Sequence, residues 1–100
     1  MNPLFKNDPQ GAYPESWYAA TAEPLTPFAP LAQSETADVC IIGAGYTGLS
    51  AALHLAQSGR RVVLLDAQRV GFGASGRNGG QLGSGQRLDQ ESLESMVGFE

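Results

Sequence analysis

The chain reads as an α/β protein organised around a βαβ unit, and three observations predict this. Residues 38–42 (DVCII) form a short apolar run of the kind a buried parallel strand requires. Gly43, Gly45 and Gly48 follow at G-x-G-x-x-G spacing, and a helical apolar periodicity runs on to Gly59. A second apolar run, residues 62–65, then ends on Asp66. The whole stretch takes about 30 residues, the length of such a unit up to its second strand.

Each element has its own justification. The first glycine allows a tight turn, the second lets backbone approach a pyrophosphate, and the third lets the helix pack close to the strand. Together they predict a Rossmann-type, dinucleotide-binding unit, in which a helix start aims unpaired N–H groups at phosphates. Leu49, Ala52, Leu53 and Ala56 fall at i, i+3, i+4 and i+7, a single apolar stripe predicted to face the sheet. Gly59 sits where a left-handed residue ends a helix. Asp66 lands where a carboxylate can accept hydrogen bonds from ribose hydroxyls, and it would repel a ribose phosphate, which argues against NADP.

A second glycine-rich segment, GFGASGRNGGQLGSG at 71–85, separates FAD from NAD. Seven of its fifteen residues are glycine, interleaved with Ser75, Arg77, Asn78 and Gln81. An extended flavin cofactor needs a second backbone surface that comes close and offers hydrogen bonds. A flexible glycine linker is the bland alternative, against which the Arg-Asn pair and Leu82 weigh.

Residues 38–82 resemble the start of the FAD-dependent oxidoreductases of the D-amino-acid oxidase, glycine oxidase and sarcosine oxidase superfamily. IIGAGYTGLSAALHLAQSG and LLDAQRVGFGASGRNGGQL are most similar to the gamma-glutamylputrescine oxidases, and SWYAATA at 16–22 is similar to their aromatic leader. The resemblance implies that Gly43, Ala44, Gly45, Tyr46, Thr47 and Gly48 wrap the FAD pyrophosphate and that Asp66, where many relatives have Glu, binds the adenosine ribose. It implies that Ala74, Ser75, Arg77, Asn78, Gly79, Gly80 and Gln81 line the stretch from pyrophosphate to flavin. It further implies oxidation of a small-molecule amine by hydride transfer to the flavin, with oxygen as acceptor and hydrogen peroxide as product. The GASGRNGGQ run holds no Cys or His for a covalent flavin bond. The alternatives are an NAD-dependent dehydrogenase, or an inactive truncated product that neither folds stably nor holds FAD alone.

All six prolines lie at or before Pro30, whereas twelve of thirteen glycines lie at or after Gly43. That shift divides the chain into an irregular leader, 1–36, and the amino-terminal part of an FAD-binding domain, 37–100, whose substrate domain is expected elsewhere. In the leader, Trp17, Tyr18 and Phe28 either pack across the domain, contact another protomer or belong to a mostly disordered tail, and the tail is the expectation. Near the other end Asp89 is an expected N-cap, with Leu88 and Leu93 placed as a hydrophobic staple, and Gly98 as a possible stop. Glu100 follows before the stripe of Leu93, Met96 and Val97 is complete, so the chain reads as part of a longer protein.

Formal net charge is −4, which argues against nucleic acid as a partner. Four arginines (60, 61, 69 and 77) face only Asp66 within residues 60–81, a local excess that suits a diphosphate, although solvated arginines are the commoner arrangement. No stretch approaches the roughly 20 apolar residues of a membrane span, and the start resembles no signal peptide, so cytoplasm is the default. Cys40 is expected as an inert buried thiol and Met96 as core. His54, Glu91 and Glu94 are expected as surface residues, and no metal constellation or nucleophile–base pair is visible.

Overall fold

The computed structural model describes residues 6, 8–83, 85 and 87–98; the expected chain ends, including Glu100, lie outside the described residues. Helix α1 spans Trp17–Thr21, strand β1 Val39–Ile42, helix α2 Tyr46–Gln57, strand β2 Val62–Leu65 and helix α3 Gln90–Val97. A 3₁₀ turn, Ala74–Gly76, lies between β2 and α3.

The two strands pair in parallel, with Val39 opposite Val62 and Ile42 opposite Leu65. Asp38 fastens the start of the pair: its N–H donates to Arg61 O (2.9 Å), and its carboxylate accepts from Arg61 N–H (2.8 Å). Parallel strands need a crossover, and α2 supplies it. The helix ends as its glycine predicts. Gly59 adopts φ +83°, Gly59 N–H donates to Ala56 O and Arg60 N–H to Leu55 O, each at 3.0 Å, the paired bonds of a Schellman cap.

The helix seats on a set of residues that shares only Ala52 with the predicted stripe. Gly48, Ala52 and Leu55 are the half-buried positions of α2, while Leu49 and Leu53 are exposed, Leu53 by 56%. A Cβ on Gly48 would collide with the carbonyl oxygen of Gly43 and stand 3.4 Å from Ile41 Cγ2, so this glycine sets how close the helix lies. The apolar arc is broader than two strands can cover, and its outer half stays in water.

Cys40 is exposed rather than buried, because side chains alternate along β1. Val39 and Ile41 are half-buried, whereas Cys40 and Ile42 point to the other face, where Ile42 is 78% exposed. Met96, expected as core, is likewise 70% exposed on α3. Val97 of the same stripe is exposed too, and only the ends of the helix follow the sequence: Asp89 Oδ1 accepts from Ser92 N–H (2.8 Å), and Gly98 ends it at φ +82°. His54 and Glu91 are exposed; Glu94 is half-buried, and its carboxylate accepts from the Gln90 side chain at 2.8 Å.

Part of the leader contacts the domain, while Trp17 and Phe28 are exposed. Ser16 caps α1 by accepting Ala19 N–H (3.2 Å), and residues 8–25 hydrogen-bond to the segment after β2. The chain still encloses little. Ala44, 2% exposed, is the single buried hydrophobic residue among those described, and the radius of gyration of 18.0 Å exceeds the roughly 13 Å of a compact 100-residue domain. Among the described residues no helix is long and apolar enough to cross a membrane.

Candidate functional site

The glycine turn between β1 and α2 is the centre of the site. Gly43 takes φ +103°, a conformation open to glycine, and its N–H donates to Leu65 O (2.7 Å), tying the turn to the end of β2. The first backbone bond of α2 joins Leu49 N–H to Gly45 O (3.0 Å). The N–H groups of Tyr46, Thr47 and Gly48 therefore have no acceptor within the helix.

Two side chains converge on this turn from opposite sides. Asp66, directly after β2, accepts Ala44 N–H on Oδ2 and Gln68 N–H on Oδ1, both at 2.7 Å. Spacing alone places Asp66 near a ribose, but not on the turn itself; the carboxylate also braces the glycine loop. Each oxygen retains acceptor capacity for a further donor. From the other side, Ser75 Oγ accepts Tyr46 N–H at 2.9 Å. A Cβ on Gly45 would stand 2.8 Å from that same Oγ, so the second glycine makes room for the serine.

Ser75 reaches the turn because the second glycine segment is coiled. Gly71, at φ +67°, donates its N–H to Ala44 O (2.8 Å), and the 3₁₀ turn Ala74–Gly76 follows. A Cβ on Gly76 would collide with Gly71 O, as one on Gly48 would with Gly43 O. The G-x4-G spacing of 71 and 76 repeats that of 43 and 48, a signal in the sequence that the G-x-G-x-x-G pattern passes over.

Asn78 consolidates the coil. Its Nδ2 donates to Ser75 O (2.9 Å) and Ala74 O (3.2 Å), and its Oδ1 accepts Gly80 N–H (2.9 Å). Nδ2 also lies 3.4 Å from the Tyr46 hydroxyl, linking the segment to the first turn of α2. Gly79, Gly80 and Gln81 continue as exposed backbone. Arg77, expected along the stretch from pyrophosphate to flavin, is engaged by protein groups. Its Nη2 pairs with Asp8 (3.0 Å), its Nε donates to Phe72 O (2.9 Å) and its guanidinium lies 4.9 Å from the Phe72 ring centre. Arg69 is equally engaged, and Arg60 and Arg61 lie at the far end of α2, so the four arginines form no common positive face.

Two clefts flank the turn. One, of about 750 Å³, is lined by Tyr18, Tyr46, Phe72, Ser75, Asn78 and Gly79. The other, of about 570 Å³, holds Ala44, Leu65, Asp66 and Gln68, with Phe28 and Leu31 from the leader. Within the second, Gln68 Oε1 accepts Gly11 N–H (2.7 Å), while the buried Nε2 has no partner among the described residues. An elongated ligand with a central anionic group fits this arrangement. The unpaired helix donors suit its anionic middle, and the Asp66 carboxylate, with acceptor capacity to spare, suits a hydroxyl-bearing group.

Comparison with known proteins places these residues in a wider set. The family described as FAD dependent oxidoreductase matches residues 38–98. Gamma-glutamylputrescine oxidoreductase of Escherichia coli is 54% identical over 85 residues, 85% of this chain and 20% of that protein. A probable oxidoreductase, OrdL, of Rhizobium meliloti is 54% identical over the same shares. One component of the anaerobic glycerol-3-phosphate dehydrogenase of Escherichia coli is 44% identical over 62 residues, 62% of this chain and 11% of that protein. The chain thus spans about a fifth of the length of the first relatives it matches. No solved structure matches significantly.

Proposed function

The chain belongs to the FAD-dependent oxidoreductase family, and from that premise we propose that the protein oxidises a small-molecule amine, with gamma-glutamylputrescine as the leading substrate. Membership decides between the dinucleotides: the family's cofactor is FAD, which sets the nicotinamide alternative aside.

The observation that carries the reading is the convergence of Asp66 and Ser75 on one helix start, with a cleft on either side. In it, Gly43, Ala44, Gly45, Tyr46, Thr47 and Gly48 hold the pyrophosphate of FAD, and the free donors of Thr47 and Gly48 neutralise its charge together with the helix dipole. Asp66 receives the adenosine ribose. Ala74 and Ser75 approach the pyrophosphate, and Asn78, Gly79, Gly80 and Gln81 border the way to the ring. When bound, FAD supplies the two-electron acceptor that no side chain provides. The chain's own residues bind and orient; no nucleophile–base pair is required of them.

The amine substrate rests on likeness to the gamma-glutamylputrescine oxidoreductase. The matched stretch is shared with a component of a glycerol-3-phosphate dehydrogenase, so it serves proteins named for different substrates. Oxygen as the final acceptor and a cytoplasmic location complete the proposal. It concerns the full-length protein, because residues 1–100 alone bury too little to be proposed as a stable FAD holder.

The test is the visible spectrum of the full-length protein under anaerobic conditions, before and after gamma-glutamylputrescine is added. A flavin band that bleaches supports the cofactor and the amine together. A flavin band that persists retains FAD and rejects this substrate. A folded protein that contains no flavin and takes up none overturns the proposal.

A further inference from the structure

Five contacts join the leader to the segment after β2, across 44 to 69 positions of sequence. Gly11 N–H donates to Gln68 Oε1 (2.7 Å), and the Tyr13 hydroxyl to Val70 O (2.7 Å). Arg69 stacks over the Tyr13 ring, 4.5 Å from its centre, and donates to Leu25 O. Asp8 pairs with Arg77 at 3.0 Å. The last is the most telling, because Arg77 directly follows the 3₁₀ turn that presents Ser75 to α2.

Both arginines are engaged by protein groups. Each guanidinium has a ring beneath it and at least one oxygen at its edge, the arrangement of a planar cation locked in place rather than one waiting for phosphate. Each contact alone is weak, as partly exposed ion pairs are. Spaced along residues 68–77, they act as a row of pins.

We infer that the leader is a clasp: Asp8–Arg77 and Tyr13–Arg69 hold the second glycine segment so that Ser75 and Asn78 stay presented at the start of α2. Arg69 and Arg77 are thus positioning residues. They act on the dinucleotide through Ser75 and make no contact with its phosphates. The inference rests on the FAD reading above for its ligand, but its geometry can be tested without any ligand.

The experiment uses the full-length protein, Asp8→Asn, Arg77→Gln and the double variant. FAD affinity is followed by quenching of flavin fluorescence at two salt concentrations. Amide hydrogen exchange of Gly76 and Arg77 is followed in the apoprotein. The clasp predicts that each single variant weakens FAD binding by about two- to fivefold, and that the double variant loses no more than one of them. It also predicts faster exchange at both amides and partial rescue by the charge-swapped pair Asp8→Arg with Arg77→Asp. A phosphate-binding arginine predicts otherwise: Asp8→Asn would leave affinity unchanged or raise it, while Arg77→Gln alone would lower it and flatten its salt dependence. That pattern overturns the clasp, as does unchanged exchange at Gly76 and Arg77. If wild-type protein takes up no FAD, the cofactor reading fails, and the exchange measurement still decides the clasp.

Discussion

The two glycine segments of this chain share a steric device and use it for different ends. In each, a glycine with positive φ is followed five residues later by a glycine whose missing Cβ leaves room for the first one's carbonyl: Gly43 with Gly48, Gly71 with Gly76. The first pair launches a helix of twelve residues, braced by strands and by Asp66. The second launches a 3₁₀ turn of three residues and hands a hydroxyl to the first. The same backbone solution gives a foundation in one place and an adjustable accessory in the other. What distinguishes them is what packs behind.

The two segments should respond differently when their second glycines are filled. Gly48→Ala drives a methyl group into backbone that cannot retreat without unseating α2 from β1. We expect a loss of about 1–3 kcal/mol in unfolding free energy, measured by urea denaturation of the full-length protein. Gly76→Ala meets the same collision in an exposed coil, which can shift. Its expected stability cost is below about 1 kcal/mol, with a larger proportional effect on FAD affinity. Equal stability losses for the two would show that the second segment is part of the foundation.

A smaller effect sharpens the link between them. Ser75→Ala removes the acceptor of Tyr46 N–H while leaving the glycines intact. A lost neutral hydrogen bond is worth about 1 kcal/mol, so FAD affinity should fall about fivefold while the melting temperature of the apoprotein barely moves. Titration of the apoprotein with FAD checks this, and undiminished affinity would separate Ser75 from the cofactor.

The smallest effect lies outside both segments and serves as a control. Hydrogen bonds from the Ser92 backbone and then its hydroxyl hold the Asp89 carboxyl below its ordinary value of 3.8. Its folded value is depressed, so the cap stabilises α3 above the ordinary carboxylate range and is lost as pH falls through the lower, folded value. Amide exchange at Ser92 should quicken through that acidic window. Asp89→Asn should abolish the pH dependence and keep a cap, with FAD affinity unchanged.

Much of this was legible in the sequence because glycine spacing and strand periodicity report local backbone demands. The βαβ order, the Gly59 stop and the Asp89 cap all follow from contacts within a few dozen residues. Three features were not legible, each for a physical reason. The exposure of Cys40 depends on which face of β1 is covered, and an apolar run carries no record of that. The seating of α2 on Gly48, Ala52 and Leu55 depends on the angle at which the helix lies, whereas the Leu49–Leu53 stripe records only hydrophobicity. The engagement of Arg77 by Asp8 joins positions 69 apart, and one sequence offers no means of pairing them.

The register of the sheet carries one more consequence. Every strand pair, from Val39–Val62 to Ile42–Leu65, closes the same interval of 23 positions. Contacts so near in sequence ask little chain entropy of the first encounter, since the cost grows only with the logarithm of loop length. Parallel pairing is ordinarily a slow, long-range event. Here the pairing is confined to neighbours with a helix forming between them, so residues 38–66 can assemble as a local kinetic unit on the timescale of helix growth and short-loop closure. The leader, whose contacts reach across about twice that distance or more, would join afterwards.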